Sequence, residues 1–282
     1  MQVIKIIKRA LKEDIGKGDI TAELLIPRGL KGRAIIIAKE EGIIAGLEVA
    51  EKVLKSLNSS LQFRAFKKDG DAFKENEIVA EVEGILRPIL SAERVVLNFL
   101  SRLSGIATLT YRFVKETEGY EVKIMDTRKT TPNLRELEKY AVRVGGGFNH
   151  RFGLDEMILI KDNHIKSQIP KTPDLKEMIE KARKKSKGKV EIEIEVTNLE
   201  EFKQALEGKP DIIMLDNMNT ENIRKAVELR RKITGSSSPP LEVSGGINLE
   251  NVREIAQTGI EQISIGALTT RSNCIDFSLE VR

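Results

Sequence analysis

Ile212-Ile213-Met214-Leu215-Asp216-Asn217 is a short apolar run closed by two polar residues, and the second half of the chain repeats that design. The other runs are Val122 to Met125, Met157 to Ile160, Val190 to Val196, Leu241 to Val243 and Ile263 to Ile265. Their ends read Asp126-Thr127-Arg128-Lys129, Lys161-Asp162-Asn163-His164, Glu193 with Glu195, Ser244-Gly245-Gly246 and Gly266-Ala267. Each run is followed by a stretch able to form a helix, which makes a repeated strand-then-helix unit. In a parallel α/β barrel such strands bring their carboxyl ends to one face, so residues far apart in sequence can line one pocket.

The residues before these runs have a different texture. Residues 3–13 predict an amphipathic helix with Val3, Ile6, Ile7 and Leu11 on one face. Glu13 to Thr21 reads as a loop, with Asp19 or Thr21 available as a helix cap. Strands are predicted at Arg33 to Ala38, Leu61 to Phe66 and Glu77 to Val82, a helix near Leu47 to Leu57, and a turn at Asp69-Gly70-Asp71. This is an α+β module of about a hundred residues. Residues 88–117 predict one or two helices packed through Val95, Leu97, Phe99, Leu100 and Leu103, with Gly105 marking a break or a close approach. Arg94, near the start of that helix, reads by itself as a solvated charge. Pro132 is expected to open a further helix, with Leu134, Leu137, Tyr140 and Ala141 on its packed face and Arg135, Glu136, Glu138 and Lys139 in water. Gly145-Gly146-Gly147 reads as its stop.

Composition narrows the function classes. With 282 residues and 40% hydrophobic content the chain can form one large domain or two ordinary ones. No segment approaches a membrane span and Met1 to Lys5 lacks a signal-peptide pattern, so a cytoplasmic location is expected. The single cysteine, Cys274, rules out an intramolecular disulfide and is expected to serve packing. Two histidines, His150 and His164, are too few for a multi-histidine metal site. A net charge of +4 with acids and bases interleaved, and 4% aromatic residues, gives neither a basic stripe nor stacking platforms, so no nucleic-acid partner is expected.

The densest chemistry lies between Asp126 and His164. Arg128 can fork onto a carboxylate or phosphate, and Lys129 adds a mobile point charge. Asn149-His150-Arg151 places further donors beside the glycines, and Lys161 is the first polar residue after a buried strand. His150 suits donation to an anion, while His164 can orient its own loop. Glu193 and Glu195 alternate with Ile192, Ile194 and Val196 and so share a sheet face, where they need a cation or a basic neighbour. Asp216 can meet Glu195 across adjacent strand ends. Two such carboxylates fit Mg²⁺ completed by phosphate oxygens and water; ion pairing with Lys129 or Lys161 is the alternative, ranked close behind. The glycine loops at Ser244-Gly245-Gly246 and after Ile265 at Gly266-Ala267 let backbone N–H groups approach a phosphate at the last strands of a barrel.

Asp126-Thr127-Arg128-Lys129-Thr130-Thr131-Pro132, Glu138 to Arg143, Gly145 to Arg151 and Leu159 to His164 together closely resemble the quinolinate phosphoribosyltransferase family. The resemblance extends in order over nearly the whole chain, from Glu13-Asp14-Ile15-Gly16 through Ala92-Glu93-Arg94 and Leu103 to Thr108 to the two glycine loops. It implies an amino-terminal α/β sandwich domain (residues 1–105), an incomplete parallel α/β barrel of the type II phosphoribosyltransferase fold (106–268) and a tail (269–282) returning to the first domain. It further implies that quinolinate and phosphoribosyl pyrophosphate give nicotinate mononucleotide, pyrophosphate and CO₂, with Mg²⁺ required. On the same ground Arg128, His150, Arg151 and Lys161 are expected to hold quinolinate, with Lys129 placed between the substrates. Glu195 and Asp216 are expected to serve metal and ribose, Thr127 to lie in the substrate site, and the Ser244 and Gly266 loops to take the 5′-phosphate. Members form homodimers or larger assemblies in which the counterpart of Arg94 enters the neighbouring subunit's pocket, which replaces the solvated reading of Arg94. A molybdate-operon relative would deviate around Lys161 to His164, which is intact here. A non-catalytic phosphate-ligand sensor would have no use for the acids Glu195 and Asp216.

Overall fold

In the computed structural model, which describes residues 2–167 and 174–282, the six apolar runs are strands of one parallel sheet. They are Lys123–Met125, Ile158–Ile160, Ile192–Val196, Ile212–Asp216, Leu241–Ser244 and Gln262–Ser264. From the second onward each pairs with its successor, and the last pairs with the first. The first and second do not pair, so the barrel is open at that seam. A lone parallel bridge from Met125 to Phe148 extends the sheet into the gap. Most residues of these strands are buried on both faces, as parallel strands covered by helices require. Helices Leu175–Ser186, Leu199–Gly208 and Thr220–Thr234 each start from a side-chain cap, Asp174, Asn198 and Asn219, that accepts N–H groups of the first turn.

The chain forms two compact units. The second comprises Arg112–Lys129 and Gly147–Ala267 and contains the parallel sheet. The first comprises the chain through Tyr111, the segment Thr130–Gly146 and the tail Leu268–Arg282. Its antiparallel sheet runs in the order Phe277–Val281, Lys31–Ala38, Ile78–Ile85, Gln62–Ala65. The tail strand enters with Phe277 opposite Ala38 and Val281 opposite Ala34. Every residue from Ala34 to Ala38 is buried, so the central strand is covered on both faces. Helix Leu47–Leu57 has the predicted bounds. It packs with the first helix, which runs from Gln2 to Ile15, past the start of the predicted loop. Asp19, rather than Thr21, caps the next turn by accepting the Ala22 N–H at 2.9 Å. No described helix is long and apolar enough to cross a membrane.

Leu86–Glu116 is one unbroken helix, which settles the two readings of Gly105. A Cβ there would stand 1.9 Å from the carbonyl oxygen of Asn273, so the glycine marks a close approach of the tail. Three expectations are corrected in this unit. The helix after Pro132 begins at Arg135, because residues 131–134 make a turn in which Leu134 donates to the Thr131 carbonyl and Asn133 takes φ +67°. Glu138 and Lys139 are not in water but buried, at 0% and 2% exposure. Glu138 accepts from Arg102 Nη2 at 2.7 Å and from both the amide and the hydroxyl of Thr131, so its charge is compensated rather than solvated. Arg102 also donates to Ser272 Oγ at 3.0 Å and to the Thr269 carbonyl, tying the tail to the long helix. Cys274, finally, is exposed rather than packed in the core.

Candidate active site

In the second unit the carboxyl ends of the strands surround a cavity of about 610 Å³. The first strand sends Thr127, Arg128 and Lys129 to it, the second Lys161, the third Glu195, the fourth Asp216, and the fifth Ser244 with Gly245 and Gly246. His150 and Arg151 arrive from the segment that follows the three glycines. Ile265, Gly266 and Ala267 do not line this cavity. Gly266 nevertheless stands close to it, since a Cβ there would meet Lys129 Cδ at 3.0 Å. Arg94 belongs to the first unit and is exposed on the long helix.

His150 and Arg151 are delivered by a short extension of the first strand. Phe148 donates to the Ile124 carbonyl at 2.8 Å, and Asp126 donates back to the Phe148 carbonyl at 3.0 Å. The wholly buried Asp126 carboxylate then accepts the His150 N–H at 2.9 Å and Asn149 Nδ2 at 2.5 Å. A buried carboxylate that takes donors from two consecutive residues fixes where the next side chain, Arg151, leaves the backbone. Lys161 is placed differently. It ends a three-residue strand and precedes the short helix Asp162–Lys166, where its N–H donates to His164 Nδ1 at 2.9 Å. His164 thus orients its own loop, as the sequence suggests.

Cations dominate one part of the cavity. Arg151 donates to the Met157 carbonyl at 2.8 Å, while its Nε has no hydrogen-bond partner among the described residues. Burial and then the positive charge of Arg128 hold its guanidinium below the usual arginine range. Two guanidinium groups repelling one another in a half-buried wall favour an anion between them. Lys161 Nζ lies 2.6 Å from Glu195 Oε2, an ion pair that joins the cationic and acidic sides. Asp216 does not sit opposite Glu195, which the register pairs with Met214; Asp216 pairs with Ser244 and accepts from Asn217 Nδ2 at 2.7 Å.

Deeper in the barrel, Glu193 and Glu242 are both fully buried. His150 Nε2 lies 3.0 Å from Glu193 Oε2 and 3.6 Å from Glu242 Oε1. The short approach to Glu193 is off-line, so it acts electrostatically and leaves both Glu193 oxygens without an aligned hydrogen bond. Glu242 accepts from Ser264 Oγ, and burial followed by the neighbouring Glu193 pushes its carboxyl up to about 8. Glu242 escapes a sequence reading because it sits inside a run read as apolar. The signal available was a charge in the middle of Leu241-Glu242-Val243, a strand buried on both faces.

The glycine turn at the fifth strand is required by geometry. Gly245 and Gly246 take φ +95° and +66°, and a Cβ on Gly245 would stand 2.2 Å from Asn217 Oδ1. Asn217 N–H in turn donates to the Ser244 carbonyl at 2.9 Å, locking two loop starts together.

An open parallel barrel whose strand ends gather arginines, lysines, two carboxylates and a glycine turn in one cavity belongs to the class of barrel enzymes that take small polyanions. Residues 19–104 match the family described as quinolinate phosphoribosyl transferase, N-terminal domain, and residues 106–280 its C-terminal domain. A probable carboxylating nicotinate-nucleotide pyrophosphorylase of Bacillus subtilis is 41% identical over 100% of this chain and 94% of its own length. One of the same description from Methanocaldococcus jannaschii is 40% identical, over 99% and 96%. The solved nicotinate-nucleotide pyrophosphorylase of Francisella tularensis superposes with a TM-score of 0.91 at 42% identity, covering 100% of this chain and 96% of that one. The chain belongs to the quinolinate phosphoribosyltransferase family, phosphoribosyltransferases of NAD biosynthesis.

Proposed function

We propose that the chain transfers the phosphoribosyl group of phosphoribosyl pyrophosphate to quinolinate, giving nicotinate mononucleotide, pyrophosphate and CO₂. The observation that carries this reading is the convergence of Arg128, Arg151 and Lys161 in one cavity with Glu195, Asp216 and the Gly245-Gly246 turn. Quinolinate has two adjacent carboxylates, and only several fixed cations can offset the loss of their hydration. Arg128, Arg151 and Lys161 are the groups to supply that charge, with His150 behind them, and Lys129 lies between the two substrates. Ser244, Gly245 and Gly246 suit the 5′-phosphate. In the reaction the pyridine nitrogen attacks C1′ as the bond to pyrophosphate breaks, and the electron pair leaves with pyrophosphate. The ring nitrogen becomes cationic. It then accepts charge as the neighbouring carboxylate departs as CO₂, and a proton replaces it at carbon.

Glu195 and Asp216 offer an all-oxygen donor set in the same cavity, of the kind Mg²⁺ takes together with phosphate oxygens and water. Mg²⁺ held there would neutralise charge on the departing pyrophosphate. The tighter group of His150, Glu193 and Glu242 is buried and includes a ring nitrogen, which suits Mg²⁺ less well. A homodimer or larger assembly with Arg94 contributed in trans completes the proposal. The short helix Ile20–Leu25 supports assembly, since Ile20, Leu24 and Leu25 are 72%, 78% and 73% exposed, more apolar surface than a solitary turn gains by showing to water.

Incubation with quinolinate, phosphoribosyl pyrophosphate and Mg²⁺ should yield nicotinate mononucleotide by mass. Nicotinate should be a poor substrate, because the missing carboxylate leaves buried cations unmatched. Comparable turnover of both acids would remove the dicarboxylate from the proposal.

A further inference from the structure

The ring of His150 has a polar neighbour at each nitrogen. Nδ1 accepts the Arg151 backbone N–H at 2.8 Å, and an accepting nitrogen carries a lone pair rather than a proton. Nε2 faces Glu193 at 3.0 Å and Glu242 at 3.6 Å, so the ring proton is the one turned toward the acids. Turning the ring over would set carbons against the amide and the carboxyls alike. Adding a proton at Nδ1 would set two N–H groups against each other.

The acids are part of the same arrangement. Barrel interiors are ordinarily filled by branched apolar side chains, and carboxyls in that layer are costly. Glu193 and Glu242 are nevertheless fully buried there, and the three groups bring ligand atoms within 4.8 Å of one another. Glu193 lacks any aligned hydrogen bond among the described residues. The ring nitrogen at 3.0 Å and the positive charge of Arg151 both act on its carboxylate. Burial and then the neighbouring Glu193 raise the Glu242 carboxyl, which favours its neutral form over a second negative charge beside the ring. Ser264 orients it from the adjacent strand.

We propose that Glu193 and Glu242 are positioning residues for the dicarboxylate pocket: facing Nε2, they hold His150 as the neutral ring whose Nδ1 accepts the Arg151 amide, and so fix the backbone that carries the Arg151 guanidinium. His150 then braces the pocket without adding net charge to it. The identity of the ligand rests on the function proposed above; the state of the ring does not.

Nitrogen-15 labelling of histidine reads that state directly. The chain has two histidines, so His164→Gln leaves the His150 signals alone. At neutral pH, Nε2 should be protonated and Nδ1 bare; a protonated Nδ1 in the otherwise unaltered protein overturns the proposal without any further variant. Glu193→Leu removes the facing oxygens at similar volume. It should mix the two tautomers and raise KM for quinolinate by about tenfold or more, with KM for phosphoribosyl pyrophosphate within about twofold. Glu193→Gln, which keeps an oxygen facing the ring but loses the charge, should rescue part of that loss. Glu242→Leu should act in the same direction by less, being farther from the ring. A folded Glu193→Leu protein with the wild-type tautomer and KM would also overturn the assignment. If wild-type protein turns over no quinolinate at all, the function fails and the ring measurement still stands on its own.

Discussion

Glu242 converts its burial into a dependence of stability on pH. Its carboxyl has an ordinary value of 4.5, and burial with Glu193 alongside pushes it up to about 8 in the fold. Between those values the folded chain holds a proton that the unfolded chain has lost. Raising the pH through that window therefore favours unfolding, by up to about 1.4 kcal/mol per pH unit. Above the folded value the penalty is complete, and below 4.5 it vanishes. Thermal melts of wild type and Glu242→Gln across this range should differ in slope, the variant being flatter because its amide does not ionise; parallel curves would acquit Glu242. Glu195 offers a second prediction at this scale. Its partner Lys161 is 2.6 Å away, so Glu195→Ala both removes a proposed metal-side oxygen and releases a cation toward the dicarboxylate. Calorimetry should find phosphoribosyl pyrophosphate with Mg²⁺ bound at least about tenfold more weakly and quinolinate no more weakly than before. Weakened quinolinate binding would instead make Glu195 the residue that holds Lys161 in place.

Helix Leu86–Glu116 owes its course to a residue that helix propensity alone would reject. Gly105→Ala gains up to about 1 kcal/mol of propensity but drives a methyl group into the Asn273 carbonyl. Overpacking of that kind costs about 1–3 kcal/mol or more. Urea denaturation should show the variant destabilised; a stabilised Gly105→Ala would mean that the tail yields freely. The same helix marks where sequence reading stops. Strands and their polar ends are local patterns, so the six runs, the Leu47–Leu57 helix and the cavity residues from Thr127 to Gly246 can be read from spacing and resemblance. Glu138 cannot, because the cation that lets it be buried is Arg102, distant in sequence and silent about its partner. Glu242 hides because a strand buried on both faces loses the alternation that would flag one charged position. Arg94 is the reverse case, since its spacing says only that it is exposed and its proposed role comes from resemblance.

At the scale of the whole molecule the first question is whether one chain makes a complete site. Arg94→Ala and Lys129→Ala should each be nearly inactive, as each removes a fixed charge from the proposed pocket. Mixed dimers of the two would place both defects in one pocket and leave the other intact if Arg94 acts in trans. Activity of the mixed species should then approach about half of wild type by two-fold symmetry. Mixed dimers verified by tag pull-down that stay inactive would return Arg94 to its own chain. The tail strand Phe277–Val281 has a consequence for synthesis. It pairs with Lys31–Ala38, yet a ribosome makes it last, after every strand of the parallel sheet has been synthesised. Until then the nascent first unit lacks one strand and carries an open edge along Ala34 to Ala38, a template for pairing with other chains. The amino-terminal sheet thus waits on the last residues made, so translational stalling late in the message should yield aggregation-prone products even though most of the protein has been made.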